Sequence, residues 1–173
     1  MKFNTKNICL TGFGIALFVV LSLCLQVPIF QNYYLCLGYI VMALFCSVNI
    51  VSGTIVGTLG VILYCLLING LRGMPGWTLG NIIIGICLGL AFKLSKKIES
   101  KILKYLILVL FVVLGTAIGI LGVKSLTEVI LYAQPFLVRT ASNIYAFVAD
   151  VFVLIFSIPI CELIKKQFKL EIL

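Results

Sequence analysis

The basic side chains of this chain are concentrated in three short segments that alternate with long apolar runs. Ten of the thirteen lysines and arginines lie in these segments. They are Lys2, Lys6, Lys93, Lys96, Lys97, Lys101, Lys104, Lys165, Lys166 and Lys169. Arg72, Lys124 and Arg139 lie in the other connectors. Because an excess of Lys and Arg in short connectors marks the cytoplasmic side, the pattern predicts an all-α integral membrane protein with six transmembrane helices and cytoplasmic N- and C-termini.

The composition leaves room for a membrane domain and little else. The chain is 63% hydrophobic and 10% charged, whereas a soluble domain is about 25% charged. Its 173 residues accommodate six spans of roughly 20 residues each, so we predict a single domain over 1–173. The apolar run after the N-terminus is too long for a signal peptide and lacks a cleavage site, and we interpret it as a retained span. The predicted spans are 8–26, 33–47, 51–68, 78–92, 103–123 and 144–164.

Several classes of function are excluded by residues that the sequence lacks. It has no histidine and only five acidic residues, and its seven cysteines are scattered, so we predict no metal site and no cofactor and interpret the cysteines as apolar packing residues. Paired carboxylates, a nucleophile elbow, a P-loop and a zinc-protease motif are all missing, which predicts that the chain is not an enzyme and does not hydrolyse ATP. Its net charge of +8 indicates orientation and attraction to anionic lipid rather than nucleic-acid binding.

Small residues recur at helical spacing inside three of the predicted spans. Such pairs allow helix backbones to approach closely in lipid, where packing drives association. The pattern places the third span in the middle of the bundle. No inverted repeat is visible, which argues against a conventional secondary transporter. The small residues are Gly12 and Ala16 in the first span, Gly53, Gly57 and Gly60 in the third, and Gly85 and Gly89 in the fourth.

The predicted outer half of the bundle contains most of the unusual polar residues, and Asp150 is the most informative of them. It lies about two turns into the sixth span, where an isolated ionised carboxylate is costly and should face the bundle interior. Asn143 precedes it by seven residues, on nearly the same helical face. One interpretation is that Asp150 and Asn143 contact a bound polar ligand. The other is that Asp150 forms a structural ion pair with Arg139 or Arg72, and the sequence leaves both open.

Further candidate contacts come from the third loop and the first. Asn81, one turn into the fourth span, either contacts a ligand or makes an interhelical hydrogen bond. The loop 72–77 has two glycines and a proline around one indole, so Trp77 is either part of a lid that stacks on an aromatic ligand or a tryptophan of the interfacial belt. Tyr33 and Tyr34 end the first loop, and one of them is expected to close the other side of such a pocket. Arg72 and Arg139, from the third and fifth loops, complete the predicted substrate-binding residues.

The arrangement of short spans resembles a known family of transport proteins. The resemblance covers essentially the whole chain and is carried by TGFGIA at 11–16, LGY at 37–39, GTIVGTLG at 53–60, and GWTLGNI at 76–82 with the glycines that follow. With the six spans, the cytoplasmic termini and the outer polarity, these segments resemble the S components of energy-coupling factor (ECF) vitamin transporters.

The resemblance implies partners and a docking surface. In that family an Ala-xxx-Ala-like surface on the first span docks onto a transmembrane coupling subunit, which two cytoplasmic ATPases drive. Gly12 and Ala16 match those positions, with glycine in place of the first alanine. The family's pocket for a vitamin or precursor lies between the outer loops and the outer ends of the later spans, where the candidates above lie. The implied location is the bacterial cytoplasmic membrane.

The identity of the ligand stays open at this point. The chain is most similar to the riboflavin-type or general branch, which implies pyridoxine, hydroxymethylpyrimidine, riboflavin, cobalamin or another small heterocycle. The leading hypothesis is a subunit that captures such a vitamin for ATP-driven uptake by its partners. The alternatives are a small structural or assembly membrane protein without a ligand, and a self-sufficient channel or secondary carrier.

Overall fold

The protein is a bundle of helices with one short hairpin. The structure, a computed structural model, describes residues 5–25, 27–30, 33–68 and 70–168. The first half of the chain contains α1 (Thr5–Cys24), β1 (Val27–Phe30), β2 (Tyr33–Leu35), α2 (Gly38–Val48) and α3 (Ile50–Leu67). The second half contains α4 (Met74–Ser95), α5 (Lys101–Thr116), a π-helical segment (Ala117–Lys124), α6 (Ser125–Tyr132) and α7 (Phe136–Phe168).

The helices form six rods, since α5, the π-helical segment and α6 follow one another without a break. Five of the rods are long and apolar enough to cross a membrane. The sixth, α2, has 11 residues and therefore measures about 16 Å, roughly half of a ~30 Å hydrocarbon core. The predicted all-α membrane class is confirmed, and the hairpin adds a feature that the prediction did not include. The sidedness of the termini stays a prediction.

The central rod is α3, which packs against α1, α2 and α4, as the glycine spacing predicts. A Cβ atom added to Gly53 would lie 2.3 Å from the backbone nitrogen of Cys46, and one added to Gly57 would lie 2.4 Å from Sδ of Met42. Neither distance is compatible with a side chain. The glycines of α3 therefore set how closely α2 can approach, which is the contact that small residues provide in lipid.

The second rod differs from the predicted span over 33–47. Tyr33 lies in β2, which pairs antiparallel with β1 so that Val27 faces Leu35, and α2 begins only at Gly38. The aromatic and branched residues of both strands favour extended backbone, and their pairing satisfies the main-chain polar groups that the predicted helix would have satisfied. A Cβ atom on Gly38 would lie 2.4 Å from Oγ of Ser22, so α2 starts in direct contact with α1.

Three further helix ends differ from the predicted boundaries of the spans. The fourth helix begins at Met74 rather than at 78, with Pro75 in its first turn, a position where proline costs no hydrogen bond. The segment 124–143, predicted to be an outer loop, is mostly helical. Its one break follows α6, where Ala133 adopts a left-handed backbone with φ of 50°. As a result α7 begins at Phe136, well before the predicted start at 144.

The predicted orientation can be tested by cysteine labelling. The turn containing Gly70 and the connector containing Lys97 lie at opposite ends of the bundle. In a background without the seven native cysteines, Gly70→Cys should react with an impermeant maleimide added to intact cells, whereas Lys97→Cys should react only after the membrane is opened. The positive-inside distribution is the physical reason. The reverse pattern would overturn the predicted sidedness.

Candidate functional site

A cavity of about 290 Å³ lies at the end of the bundle opposite the lysine-rich connector between α4 and α5. Residues from most of the length of the chain line it, since α1, β2, α3, α4, the π-helical segment and α7 each contribute. We call it the upper cavity. The residues that line it are Ser22, Tyr34, Leu35, Cys36, Tyr64, Ile68, Trp77, Lys124, Ala146 and Asp150.

Three aromatic side chains form one wall of the upper cavity. Tyr64 and Trp77 meet edge to face, with ring centroids 5.7 Å apart and an interplanar angle of 86°. The indole Nε1 of Trp77 also donates a hydrogen bond of 2.9 Å to the hydroxyl of Tyr39, and Tyr34 of β2 completes the wall. Trp77 lies in the first turn of α4. The indole is therefore carried by a helix rather than by the expected loop over 72–77, while its role as a lid over a ligand stays a prediction.

A buried hydrogen-bond network supports this wall from behind. The hydroxyl of Tyr39 lies 2.7 Å from Oδ1 of Asn81 and 3.3 Å from Oδ2 of Asp150. Asn81 donates in turn to the carbonyl of Gly57 at 3.0 Å. The network ties α2, α3, α4 and α7 together. Asn81 is fully buried and does not line the cavity, so its geometry supports the interhelical hydrogen bond rather than a direct ligand contact.

The upper cavity contains one acidic and one basic side chain. Asp150 is only 4% exposed, and among the described residues no lysine or arginine nitrogen lies within 4.0 Å of its carboxylate. The structural ion pair with Arg139 or Arg72 is therefore not formed. Lys124, at the end of the π-helical segment, lines the same cavity. Since isolated charges in a membrane interior are costly, these two groups are the charged candidates for contact with a polar ligand in this cavity.

A second polar cluster lies outside the upper cavity and contains two of the predicted site residues. Asn143 donates to Oγ of Ser125 at 3.0 Å and to Oε2 of Glu128 at 3.2 Å. Nε of Arg139 lies 3.4 Å from the same Glu128 oxygen, an ion pair without hydrogen-bond geometry. We call these four residues the Glu128 cluster. Its members bind each other, so Asn143 and Arg139 are placed in a structural role rather than on the cavity wall.

The predicted site residue Arg72 also lies apart from the upper cavity, and Tyr33 is described only by its backbone. The guanidinium of Arg72 stacks over the ring of Tyr132 at 4.7 Å, and the hydroxyl of Tyr132 donates to the carbonyl of Arg72. This contact fastens the turn before α4 to α6. The backbone of Tyr33 belongs to β2, while its side chain lies outside the described part of the structure. Of the predicted residues, Tyr34, Trp77 and Asp150 meet at the cavity wall.

Sequence reasoning missed three residues of this site. Lys124 was assigned to a loop as a marker of topology, and Tyr39 and Tyr64 looked like ordinary residues of apolar spans. The signal for Lys124 was present in the sequence. It is the one charge between Lys104 and Glu128, and such a residue within an apolar run is a functional candidate.

The predicted docking pair lies on the open side of α1. Gly12 and Ala16 are both exposed, and a Cβ atom added to Gly12 would meet nothing within 4 Å. By contrast, one added to Gly14 would lie 2.6 Å from the ring of Phe45, so that glycine packs inward. The Gly12–Ala16 face is thus free of contacts within the described chain.

The fold is a bundle of six helical rods, five of them long and apolar enough to cross a membrane, with a small cavity at one end. This is the architecture of a multi-pass membrane protein. The family model for the ECF-type riboflavin transporter, S component, matches residues 2–166, and the chain belongs to this family. It is therefore a substrate-binding subunit of an ECF-type vitamin transporter and a multi-pass protein of the cell membrane. Neither the curated proteins nor the solved structures contain a match.

Proposed function

We propose that this chain captures riboflavin in the upper cavity and delivers it for uptake. The observation that carries the proposal is the joint placement of Tyr34, Tyr64 and Trp77 with Lys124 and Asp150 around one cavity. Stacking on aromatic side chains favours a planar ring system. The family to which the chain belongs is named for riboflavin, whose tricyclic ring is planar and apolar over most of its faces.

The charged pair suits the polar edge of a flavin. The pyrimidinedione ring of riboflavin has carbonyl oxygens that flank an imide N–H, so it presents acceptors and a donor side by side. In this proposal Lys124 donates to a carbonyl of the ring and Asp150 accepts from the N–H. Hydrogen bonds that involve a charged group are the strong ones. The site would thus hold the ring faces by stacking and fix the orientation of the ring by this pair.

The volume of the cavity limits which of the vitamins named in the sequence analysis are suitable ligands. At about 290 Å³ its volume is just below the roughly 300–1,000 Å³ that small-molecule pockets occupy. A compact ring system such as riboflavin, pyridoxine or hydroxymethylpyrimidine suits that volume. The corrin macrocycle of cobalamin, with its attached nucleotide, is far larger, and the cavity argues against it.

We further propose that uptake requires a transmembrane coupling subunit and two ATPase subunits. The chain itself has no P-loop, so the energy for transport has to come from partners. The free Gly12–Ala16 face on α1 is the candidate docking surface, and it lies well away from the upper cavity.

The protein provides its own reporter for this function, because Trp77 is the single tryptophan of the chain and lines the cavity. Riboflavin added to the purified protein should quench the Trp77 emission in a saturable way, after correction against free tryptophan. Saturable quenching by pyridoxine or hydroxymethylpyrimidine but not by riboflavin would replace riboflavin as the proposed ligand and support the upper cavity as the binding site. A complete lack of response to all three would contradict the assignment of the cavity.

A further inference from the structure

Two adjoining depressions at the lysine-rich end of the bundle are not accounted for by vitamin binding. One, of about 450 Å³, is lined by Lys101, Lys104, Tyr105, Glu162 and Lys165. The other, of about 390 Å³, is lined by Lys101, Ile102, Tyr105, Leu106 and Val109. They share Lys101 and Tyr105, so a basic depression passes directly into an apolar one. We call them the basic and the apolar depression.

The charges in the basic depression are unequal. Lys104 is neutralised by Glu162, with 2.6 Å between Nζ and Oε1, and the hydroxyl of Tyr105 donates to Oε2 of the same carboxylate at 2.5 Å. Lys165 donates to the carbonyl of Ser47 at 2.9 Å and has no carboxylate within ion-pair distance among the described residues. Lys101 is exposed and likewise makes no ion pair there. Nζ of Lys165 also lies 5.2 Å from the centroid of the Phe92 ring. The depression thus keeps two positive charges, on Lys101 and Lys165, that no described carboxylate neutralises through an ion pair.

The apolar depression runs along α5 away from those charges. It extends over nine residues, from Lys101 to Val109, and the eight steps between them correspond to about 12 Å along the helix axis. Its outer residues are fully available, since Ile102 is 76% exposed and Leu106 is 61% exposed. A ligand that filled both depressions would therefore need an anionic group at one end and an apolar chain of several carbons beside it.

We propose that this surface is a binding site for an anionic phospholipid. The phosphate would lie between Lys101 and Lys165, and an acyl chain would follow α5 past Leu106. Basic pockets at the cytoplasmic ends of membrane helices are suited to anionic headgroups, and each lysine contributes appreciably to that attraction. Complementarity of both charge and polarity favours a lipid over a soluble phosphate, which would leave the apolar depression empty.

The site can be tested by native mass spectrometry of the full chain released from mixed micelles of dioleoyl phosphatidylglycerol and dioleoyl phosphatidylcholine. The wild type should retain phosphatidylglycerol in preference to phosphatidylcholine. Lys101→Gln with Lys165→Gln should reduce that preference by roughly tenfold to thirtyfold, because the protein loses two positive charges that attract the headgroup. Glutamine at 165 can still donate to the Ser47 carbonyl, and Lys101→Gln alone, at an exposed position, should show part of the loss without any effect on folding.

The matched control is Lys93→Gln with Lys97→Gln, which removes two exposed lysines at the same end that line neither depression. It should keep the preference for phosphatidylglycerol. An equal loss in this control would mean that net charge rather than a site attracts the lipid. Retention of the preference after Lys101→Gln with Lys165→Gln would overturn the proposal, and so would equally strong binding of soluble glycerol 3-phosphate, which would identify a phosphate site without a lipid.

Discussion

Asp150→Asn should weaken vitamin binding by about 10- to 100-fold, which corresponds to the roughly 1.5–3 kcal/mol that a hydrogen bond to a charged group contributes. The substitution keeps the size of the side chain and its distance from the Tyr39 hydroxyl, so that the network behind the cavity can persist. What it removes is the negative charge in the cavity that Lys124 also lines, and it replaces one of the two carboxylate acceptors with an NH2 donor. Titration of purified protein with riboflavin, followed by flavin fluorescence, measures the effect.

The chain offers a matched control for this prediction in Glu128→Gln. Glu128 is a second buried acid of the same bundle, 6% exposed, and it belongs to the Glu128 cluster rather than to the upper cavity. Its replacement should lower the melting temperature, since Arg139 loses its counter-charge, while affinity in the folded fraction stays unchanged. If Asp150→Asn showed this same pattern, lower stability with unchanged affinity, then Asp150 would be structural and the aromatic wall would carry recognition.

The burial of Asp150 could be predicted from the sequence because it follows from a strong local rule. A carboxylate two turns inside an apolar span has to face the bundle interior, and the structure places it there. The central position of α3 follows in the same way from Gly53 and Gly57, whose spacing has few other uses in lipid. In both cases one residue in its local context carries the physical argument, and no knowledge of distant partners is needed.

The partners of the polar residues could not be predicted, because they depend on how the rods are placed relative to one another. Arg139 pairs with Glu128 rather than with Asp150, and Asn143 also contacts Glu128. Both contacts arise because the rod of α5 and α6 continues well past the predicted end of the fifth span. That continuation also converts Lys124 from a loop residue into part of the cavity wall. A hydropathy pattern shows where the proportion of apolar residues falls. It cannot distinguish a helix that continues with polar residues from a loop.

The start of α4 was missed for a related reason. The glycines and proline before Trp77 read as a flexible turn, yet proline is well suited to a first helical turn, and the helix extends over it. The indole is then held by Tyr39 and Tyr64 instead of moving with a loop. Tyr39 itself gave no signal, because a tyrosine near the end of a span is explained equally well by the interfacial belt.

Gly12→Trp combined with Ala16→Trp should reduce vitamin uptake by cells to background while riboflavin binding by the isolated protein stays close to that of the wild type. The two positions share one exposed face of α1, four residues apart. No described part of the chain lies within 4 Å of a Cβ atom on Gly12, so added bulk has space in the isolated bundle. Against a partner helix, two indoles would prevent the close approach that small residues allow.

The matched control for the docking face is Leu10→Trp, which adds an indole to the same helix at a residue that is 45% exposed. At 3.6 residues per turn this residue lies about 160° around the axis from Gly12 and about 120° from Ala16. It should retain uptake. Normal uptake by the double variant would argue against docking through the Gly12–Ala16 face, and equal loss in Leu10→Trp would show that α1 tolerates no bulk anywhere. Because α1 contributes Ser22 to the upper cavity at its other end, the same helix would join vitamin capture to the partner that drives its release.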